Sequence, residues 1–220
     1  SDVYGCGHSE RLLGQVLAMR RDQVVIATKF GHVCEEASRT MTHSDGSPDY
    51  IRRACEASLR RLNTDYIDLY QFHVSGYDPA QAGEVVETLE ELVAAGKIRA
   101  YGWSTDDPDR ARAFAQGQHC AAIQQRLNLF EGSEEILALC ETANLASINR
   151  GPLARGLLTG KFSGDSSLPA DDVRRDWDFR SGEVAERLQK LEALQGALTR
   201  DGRTLTQGAL GWLWARSQQT

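Results

Sequence analysis

The sequence predicts a parallel α/β fold. Five short apolar segments alternate with helix-like stretches and each ends in polar residues; they are residues 24–28, 66–72, 98–103, 121–124 and 145–149. Such alternation is expected where parallel strands are joined by crossover helices. The stretch before Ser9 is predicted to be the end of a sixth strand. Both the eight-stranded barrel and the open doubly wound sheet fit this pattern, and both gather functional groups at the carboxyl ends of their strands.

The predicted helices begin at recognisable caps. Ser47-Pro48, Asp78-Pro79 and Asp107-Pro108 each place an N-cap residue before a proline at the first helical position. Apolar residues recur at helical spacing over residues 184–198, and Thr204 to Gln207 has the pattern of a capping box that opens another helix. The glycine-rich G-x-G-x-x-G fingerprint of the doubly wound fold does not occur after any predicted strand.

Length and composition favour one globular domain covering residues 1–220. The chain has 220 residues, of which 41% are hydrophobic, enough to bury a sizeable core. A net charge of -6 argues against a nucleic-acid partner. No apolar run approaches the roughly 18 to 20 residues that span a bilayer, so no membrane partner is expected. The five cysteines are scattered and form no C-x-x-C pair; they are Cys6, Cys34, Cys55, Cys120 and Cys140. This usage indicates reduced thiols and a cytoplasmic location.

Three residues at or near predicted strand ends suggest acid–base chemistry. Tyr4, Lys29 and His73 would converge on one mouth of a closed barrel. An ammonium group beside a phenol favours the phenolate, and a histidine can position or assist the proton, so the three together suit proton transfer to a carbonyl oxygen. Further polar residues follow the other predicted strands: Ser104, Thr105, Gln124, Asn128, Asn149 and Arg150.

Structural roles for the same residues stay open at this point. Tyr4 could be a half-buried loop aromatic, Lys29 could extend from a strand end into solvent, and His73 could be a hydrogen-bonded structural histidine. A lyase using Lys29 as a Schiff base is a further alternative. Metal binding is not predicted, because the five histidines show no ligand spacing with cysteines or carboxylates.

Five stretches of the sequence resemble the aldo-keto reductases, in order and at plausible spacing. They are SDVYGCGHSERLLG, VVIATKFG, YIRRACEASLRRLNTDYIDLYQFH, VAAGKIRAYGWST and INRGPLARGLLTGK. The resemblance implies a (β/α)8 TIM barrel and the reduction of an aldehyde or ketone with a nicotinamide cofactor, usually NADPH. It implies that Tyr4 donates the proton, that Lys29 tunes Tyr4, and that His73 assists.

The resemblance also implies a set of cofactor-binding residues. Ser104 and Gln124 match the family's contacts to the nicotinamide carboxamide, and Asn128 lies in the same motif; Thr105 replaces the usual asparagine. Arg150 stands where an aromatic residue often stacks on the nicotinamide. The turn that follows resembles the pyrophosphate clamp, with these residues expected to contact the cofactor: Gly151, Pro152, Leu153, Gly156, Leu157, Thr159 and Lys161. Phe30, Phe72, Trp103 and Trp177 or Phe179 are expected to form the apolar substrate side.

The resemblance further implies an incomplete barrel, in which the first strand, most of the second and the last strand lie outside these residues. The catalytic aspartate of the family is expected five residues before Tyr4, also outside the sequence, and Asp2 is not expected to replace it. The segment that grips the 2′-phosphate of NADP is likewise not matched, so NADP is favoured and NAD stays an alternative. A barrel lacking strands exposes edges, so we expect this polypeptide alone to be marginally stable.

Two other functions stay open beside carbonyl reduction. One is a catalytically weak or inactive nicotinamide-binding regulatory subunit, because a fold does not fix a function. The other is a non-functional fragment. The substrate is expected to be a small carbonyl compound, and neither its identity nor the oligomeric state follows from the sequence.

Overall fold

The computed structural model describes residues 1–35 and 37–220, which form two compact units. Unit 1 contains residues 1–125, residues 134–148 and Gln219. Unit 2 contains residues 126–133, residues 149–218 and Thr220. The expectation of one domain over residues 1–220 stays a prediction.

The described residues contain a five-stranded sheet and a two-stranded hairpin. The sheet has the order β1-β4-β5-β6-β7, and β1 pairs with β4, β4 with β5 and β5 with β6 in parallel. The hairpin is the antiparallel pair β2-β3. The strands are β1 (Ala27–Phe30), β2 (His32–Glu35), β3 (Thr40–Ser44), β4 (Ile67–Phe72), β5 (Ile98–Ser104), β6 (Cys120–Arg126) and β7 (Ala146–Arg150). All five strands predicted from apolar runs occur in the sheet, within a few residues of their predicted bounds.

Helices follow the strands of the sheet as the caps predict. They are α1 (His8–Leu17), α2 (Pro48–Leu62), α3 (Ala82–Ala94), α4 (Pro108–Phe114), α5 (Glu134–Ala143), α6 (Gly182–Leu198) and α7 (Leu205–Arg216). Ser47 accepts a hydrogen bond from the Tyr50 amide, and Asp107 accepts from the amides of Asp109 and Arg110. The capping box is present, with Thr204 accepting from the Gln207 amide while the Gln207 side chain accepts from the Thr204 amide. Within the described residues, none of the helices is both long enough and apolar enough to cross a membrane.

Two local predictions need correction, and one element was not predicted. The stretch before Ser9 is a series of turns that leads into α1, and it is not the end of a strand. Asp78-Pro79 opens a short 3-10 turn, Pro79–Gln81, and α3 begins only at Ala82. The β2-β3 hairpin was not predicted, because it lacks an apolar run; its second strand is exposed along its whole length.

Aromatic residues dominate the core of unit 1. Phe30 stacks on Tyr70 with ring centroids 4.3 Å apart, and Trp103 packs against Phe72 at 5.2 Å and against Phe114 at 4.7 Å. The Trp103 indole also donates a hydrogen bond to a backbone carbonyl at 3.1 Å. The prediction that Phe30, Phe72 and Trp103 form the substrate side is therefore wrong, because all three are fully buried in this core.

Unit 2 has a smaller core and more irregular backbone. Leu157, Leu158, Phe179 and Leu191 are buried together there. Phe162 contacts Phe179 at 5.2 Å between centroids and Trp177 at 6.0 Å. Helices α6 and α7 supply the rest of the apolar surface, so this core stabilises a long connecting segment rather than a sheet.

Candidate active site

Unit 1 brings Tyr4, Lys29 and His73 together. The Lys29 Nζ atom lies 5.5 Å from the centroid of the Tyr4 ring. The Tyr4 and His73 rings meet edge to face with centroids 6.2 Å apart. Tyr4 is 52% exposed, so its phenol faces solvent, where a ligand can reach it. This arrangement places a phenol, an ammonium and an imidazole around one accessible point.

The pairing of β1 with β4 explains why two of these residues meet. Lys29 lies opposite Gln71 in the parallel register, and the His73 amide donates to the Phe30 carbonyl at 2.8 Å. The carboxyl ends of parallel strands lie at the same edge of a sheet, so side chains from both strand ends reach one place. The Asp2 amide donates to the Lys29 carbonyl at 3.2 Å, which ties the segment that carries Tyr4 to β1.

A buried ion pair lies behind the Tyr4 segment. Glu10 is fully buried, its carboxylate accepting from Thr28 Oγ1 at 2.5 Å and from Arg61 Nε at 2.7 Å. Gly7, at a φ of 82°, lets Arg61 approach, because a Cβ there would lie 2.5 Å from Arg61 Cδ. The ion pair between Glu10 and Arg61 thus holds the first turns of the chain, which carry Tyr4, against α2.

Asp2 is a second buried carboxyl in this segment. It is 7% exposed, and burial, followed by the negative charge of Glu10, raises its pKa to about 7. The Ser1 hydroxyl lies between this carboxyl and the candidate histidine, 3.3 Å from Asp2 Oδ1 and 3.5 Å from His73 Nδ1. A titratable group with a pKa near neutrality therefore lies two residues from Tyr4 in the chain.

Ser104 and Gln124 form a polar pair at the ends of β5 and β6. The Ser104 hydroxyl donates to Gln124 Oε1 at 3.3 Å. The two strands approach closely just before this pair, since a Cβ at Gly102 would lie 2.1 Å from the Ala122 carbonyl oxygen. A hydroxyl beside an amide offers the donors and acceptors that a carboxamide requires. Thr105 is fully buried, and its hydroxyl accepts from the Asp107 amide at 3.1 Å, so it shapes the turn into α4.

The predicted cofactor loop in unit 2 has an unusual backbone. Ala154, Arg155 and Gly156 take positive φ values of 48°, 53° and 100° in succession. Non-glycine residues seldom adopt this conformation, and it is concentrated at functional sites. The Arg155 carbonyl accepts from Arg174 at 2.8 Å, and the Thr159 hydroxyl donates to the Gly156 carbonyl at 2.7 Å. Side chains beside the turn hence hold a strained backbone in place.

Other predicted cofactor residues surround this turn. Gly151 is exposed, Pro152 and Leu153 are half-buried, and Leu157 is buried in the unit 2 core. Lys161 is exposed, with Nζ 4.7 Å from the centroid of the Phe162 ring. Gly151 and Lys161 in and beside this turn are therefore exposed to solvent, while Leu157 packs into the unit 2 core and fixes the turn to it.

A cavity of about 460 Å³ lies beside the turn within unit 2. Arg126, Asn128, Arg150, Arg155 and Arg187 are among its lining residues. Asn128 is buried, and its amide bridges the Gly151 carbonyl at 3.1 Å and a Glu131 carboxylate oxygen at 3.1 Å. Four arginines among the lining residues make this cavity suited to phosphate or carboxylate groups.

Two carboxylates that line the cavity, Glu131 and Glu183, balance part of this charge, and Glu183 accepts from Arg187 at 2.6 Å. Glu131 accepts from Arg187 at 2.9 Å and from Arg126 at 3.3 Å. Partial burial works against ionisation, yet hydrogen bonds from Arg187 and Asn128 hold the pKa of Glu131 below its usual range. The Arg174 guanidinium likewise holds the pKa of Asp172 well below its usual range, which keeps Arg174 fixed beside the turn.

Several of these residues were not predicted as site residues. Glu10 and Arg61 are 51 positions apart, and no local pattern joins them. Arg126 and Glu131 flank the predicted Asn128, and a search for charges beside that residue could have found them. Arg155 lies inside the predicted clamp, and its charge was a usable signal. Among residues 1–35 and 37–220, no group of three or more histidines, cysteines or carboxylates is arranged to hold a metal ion.

Comparison with known proteins identifies the class. The Aldo/keto reductase family matches residues 1–220, so the chain belongs to this family. It is 32% identical over 226 residues to the NADH-specific methylglyoxal reductase of Escherichia coli, an alignment covering 97% of this chain and 69% of that protein. The chain spans only 52% to 69% of the length of five curated relatives, to which it is 30% to 37% identical.

Solved structures agree on the fold. The glycerol dehydrogenase of Gluconobacter oxydans gives a TM-score of 0.86 at 34% identity, with 98% of this chain and 67% of that chain covered. An aldo-keto reductase of Klebsiella pneumoniae in complex with NADPH gives a TM-score of 0.68 at 29% identity. The match covers 98% of this chain and 64% of that chain. The predicted fold class is confirmed: the strands and helices correspond to a partial (β/α)8 barrel of the aldo-keto reductase type.

Proposed function

We propose that the protein reduces an aldehyde or ketone to an alcohol, or catalyses the reverse reaction, with a nicotinamide cofactor. The observation that carries the proposal is the group formed by Tyr4, Lys29 and His73 at one edge of the unit 1 sheet. Family membership agrees with this chemistry, and the related proteins named above are a reductase, a dehydrogenase and an NADPH complex. The substrate class is a small carbonyl compound.

Tyr4 is the proposed proton donor. The accessible phenol delivers its proton to the carbonyl oxygen, and Lys29, at 5.5 Å from the ring, stabilises the negative charge left on Tyr4. His73, against the edge of the ring, orients the substrate oxygen toward the phenol. A nicotinamide cofactor, when bound, supplies the hydride to the carbonyl carbon.

The residues present fit such a cofactor in each unit. In unit 1, the Ser104 hydroxyl and the Gln124 amide are complementary to a carboxamide. In unit 2, the strained turn and the cations Arg150, Arg155 and Lys161 are suited to a pyrophosphate. We infer NADPH as the cofactor, following the Klebsiella pneumoniae complex; the NADH-specific relative makes NADH the alternative.

The five free cysteines favour a cytoplasmic location.

The experiment compares Tyr4→Phe with Tyr66→Phe in the intact protein. Loss of the phenolic proton should lower kcat by about 10²-fold to 10⁴-fold, measured as aldehyde-dependent NADPH oxidation. Cofactor binding, measured by quenching of tryptophan fluorescence, should not change. Tyr66 precedes β4, at the strand end opposite His73, so its variant should keep the wild-type rate. An unchanged rate in Tyr4→Phe would contradict the proton-donor role.

The alternative is a nicotinamide-binding subunit with little turnover. Thr105 is the observation that favours it, because a residue used in the α4 turn stands where the family commonly has an asparagine. Saturable binding of NADPH without turnover on a panel of short aldehydes would establish this role. Turnover that disappears in Tyr4→Phe would exclude it.

A further inference from the structure

Two cysteines in unit 1 line the same small cavity. Cys6 and Cys34 line one cavity of about 270 Å³, together with Asp2, His32 and Arg61. Burial, followed by a side-chain hydrogen bond with Cys6, raises the pKa of Cys34 to about 12. Cys6 is 3% exposed and Cys34 is half-buried. The two thiols therefore border the same small cavity, and the Cys34 thiol is the more accessible to a small solute.

The positions of these thiols connect them to the candidate active site. Cys6 follows Tyr4 by two residues, in the turn whose backbone Asp2 ties to Lys29. Cys34 lies in β2, the strand that follows the Lys29 strand almost directly. A covalent bond between the two sulfurs would fix the Tyr4 segment to the β2-β3 hairpin.

The other cysteines provide a contrast. Cys55, Cys120 and Cys140 are all buried in the aromatic core of unit 1. Burial raises the pKa of Cys55 to about 12 and that of Cys140 to about 11. The pKa of Cys34 is raised as much, so the contrast lies in exposure: Cys55 and Cys140 are 0% exposed and Cys120 is 9% exposed, whereas Cys34 is half-buried. Buried thiols are inert toward solutes, so these three serve as internal controls for a reaction at Cys6 and Cys34.

We propose that Cys6 and Cys34 form a reversible disulfide when the protein meets hydrogen peroxide. Peroxide transfers one oxygen to Cys34 Sγ, giving a sulfenic acid and one water. Cys6 Sγ then attacks that sulfur; the S–S bond forms, the S–O bond breaks, and hydroxide leaves and takes up the Cys6 thiol proton as a second water. Two thiols and one peroxide thus give one disulfide and two waters.

The environment sets the speed of the reaction. The thiolate is the reactive form, and the Cys34 proton is strongly held at neutral pH. Arg53 and Arg61 supply positive charge to the cavity and Asp2 negative charge, while His32 and Tyr50 complete its titratable lining. We expect slow oxidation under sustained peroxide. The two sulfur atoms of a disulfide are about 2.05 Å apart. Formation of the bond must therefore draw the turn that carries Tyr4 toward β2.

The consequence for catalysis rests on the proposed function. Moving the turn displaces Tyr4 from Lys29 and His73, so the oxidised protein should reduce carbonyl substrates more slowly, by about tenfold or more. Reduction by a dithiol should restore the rate, because it breaks the S–S bond and returns both protons.

The test is peptide mapping of the intact protein after exposure to hydrogen peroxide. Free thiols are alkylated under denaturing conditions, and non-reducing digestion with mass spectrometry should recover the peptide of Cys6 joined to that of Cys34. Peptides containing Cys55, Cys120 and Cys140 should be alkylated. Recovery of Cys6 and Cys34 as alkylated thiols, or as irreversible sulfur oxides without a link, would overturn the proposal.

Two variants separate the disulfide from its effect. Cys34→Ser should lose both the linked peptide and the peroxide-dependent, dithiol-reversible fall in rate, whereas Cys55→Ser should retain both. If the link forms and the rate does not change, the switching role is wrong although the disulfide exists. If wild type shows no carbonyl reduction at all, the proposed function fails, and the peptide map still decides on the disulfide.

Discussion

The two units hold their candidate functional residues by different means. In unit 1, Lys29 and His73 lie at the ends of paired strands over a core of stacked aromatic rings. In unit 2, Arg155 lies in an irregular turn in which Ala154, Arg155 and Gly156 have successive positive φ values, and Arg174 donates to the Arg155 carbonyl. Regular packing places the groups proposed to act in proton transfer, and an irregular charged turn places the groups proposed to bind an anionic ligand. The units should therefore respond differently to changes in charge and pH.

The largest effect on stability should come from the buried ion pair of unit 1. Arg61→Met leaves the Glu10 carboxylate fully buried without its cation. Removing one partner of a buried pair costs about 3–5 kcal/mol of unfolding free energy. Denaturant unfolding followed by circular dichroism measures this loss. Arg52→Met is the matched control: its pair with Glu91 is exposed, and the unfolding midpoint should hardly move. Equal losses in both variants would show that the buried pair has no special role.

A pH-dependent effect should follow for Asp2→Asn. The folded pKa of Asp2 is about 7, above its usual 3.8, so its contribution to stability is present below about pH 4 and is lost as pH rises toward 7. A shift of this size corresponds to at most about 4 kcal/mol. The variant should therefore gain thermal stability relative to wild type at pH 8 and show little gain at pH 4. Equal differences in Tm at the two pH values would contradict a raised pKa.

Unit 2 should show the opposite trend. The pKa of Glu131 is lowered in the folded protein, so its stabilising contribution is present above the usual carboxyl pKa and is lost as pH falls through the folded value. Hydrogen exchange measured peptide by peptide can separate the units. Protection factors of peptides from residues 126–133, which correct for the intrinsic pH dependence of exchange, should fall at acid pH, and Asp2→Asn should leave them unchanged.

A smaller effect is expected for Lys161→Ala in the predicted cofactor loop. If Lys161 makes the proposed pyrophosphate contact, removing this exposed cation should weaken NADPH binding by about tenfold, with a smaller dependence of Kd on salt. Titration by tryptophan fluorescence at two salt concentrations measures both quantities. Lys190→Ala removes the same charge from the exposed side of α6 and should leave Kd unchanged. Equal weakening by both variants would indicate only a general effect of charge.

The smallest effect should come from Thr204→Ala at the start of α7. The hydroxyl accepts from the Gln207 amide, and losing such a cap costs about 1 kcal/mol. Thr199→Ala is the control, because that hydroxyl donates to the Gln195 carbonyl and caps no helix start. Urea unfolding should separate the two variants. A larger loss in Thr199→Ala would show that the box does not stabilise α7.

The strands were predictable from sequence because their apolar runs are local signals. The segment predicted at 98–103 is observed as Ile98–Ser104, and the one at 145–149 as Ala146–Arg150. The β2-β3 hairpin escaped prediction because Thr40–Ser44 is exposed and polar, so pairing rather than burial defines it. Local composition carries no information about such a pairing.

The site was predictable only in part. Resemblance indicated Tyr4, Lys29 and His73, and these do lie together, although their catalytic roles stay predictions. The expectation that Phe72 and Trp103 face the substrate failed, because aromatic residues in a strand pack equally well into a core. Glu10 and Arg61 meet only through the tertiary fold, and no spacing rule reaches across 51 residues.

The close approach of β5 and β6 at Gly102 limits how the protein could be engineered. Any side chain there would collide with the Ala122 carbonyl, and relief would require the strands to separate just before Ser104 and Gln124. A library designed to switch cofactor preference by randomising residues 102–105 would therefore lose most of its members to misplaced strands. Directed evolution on this scaffold should hold residue 102 constant and diversify the strand ends beyond it.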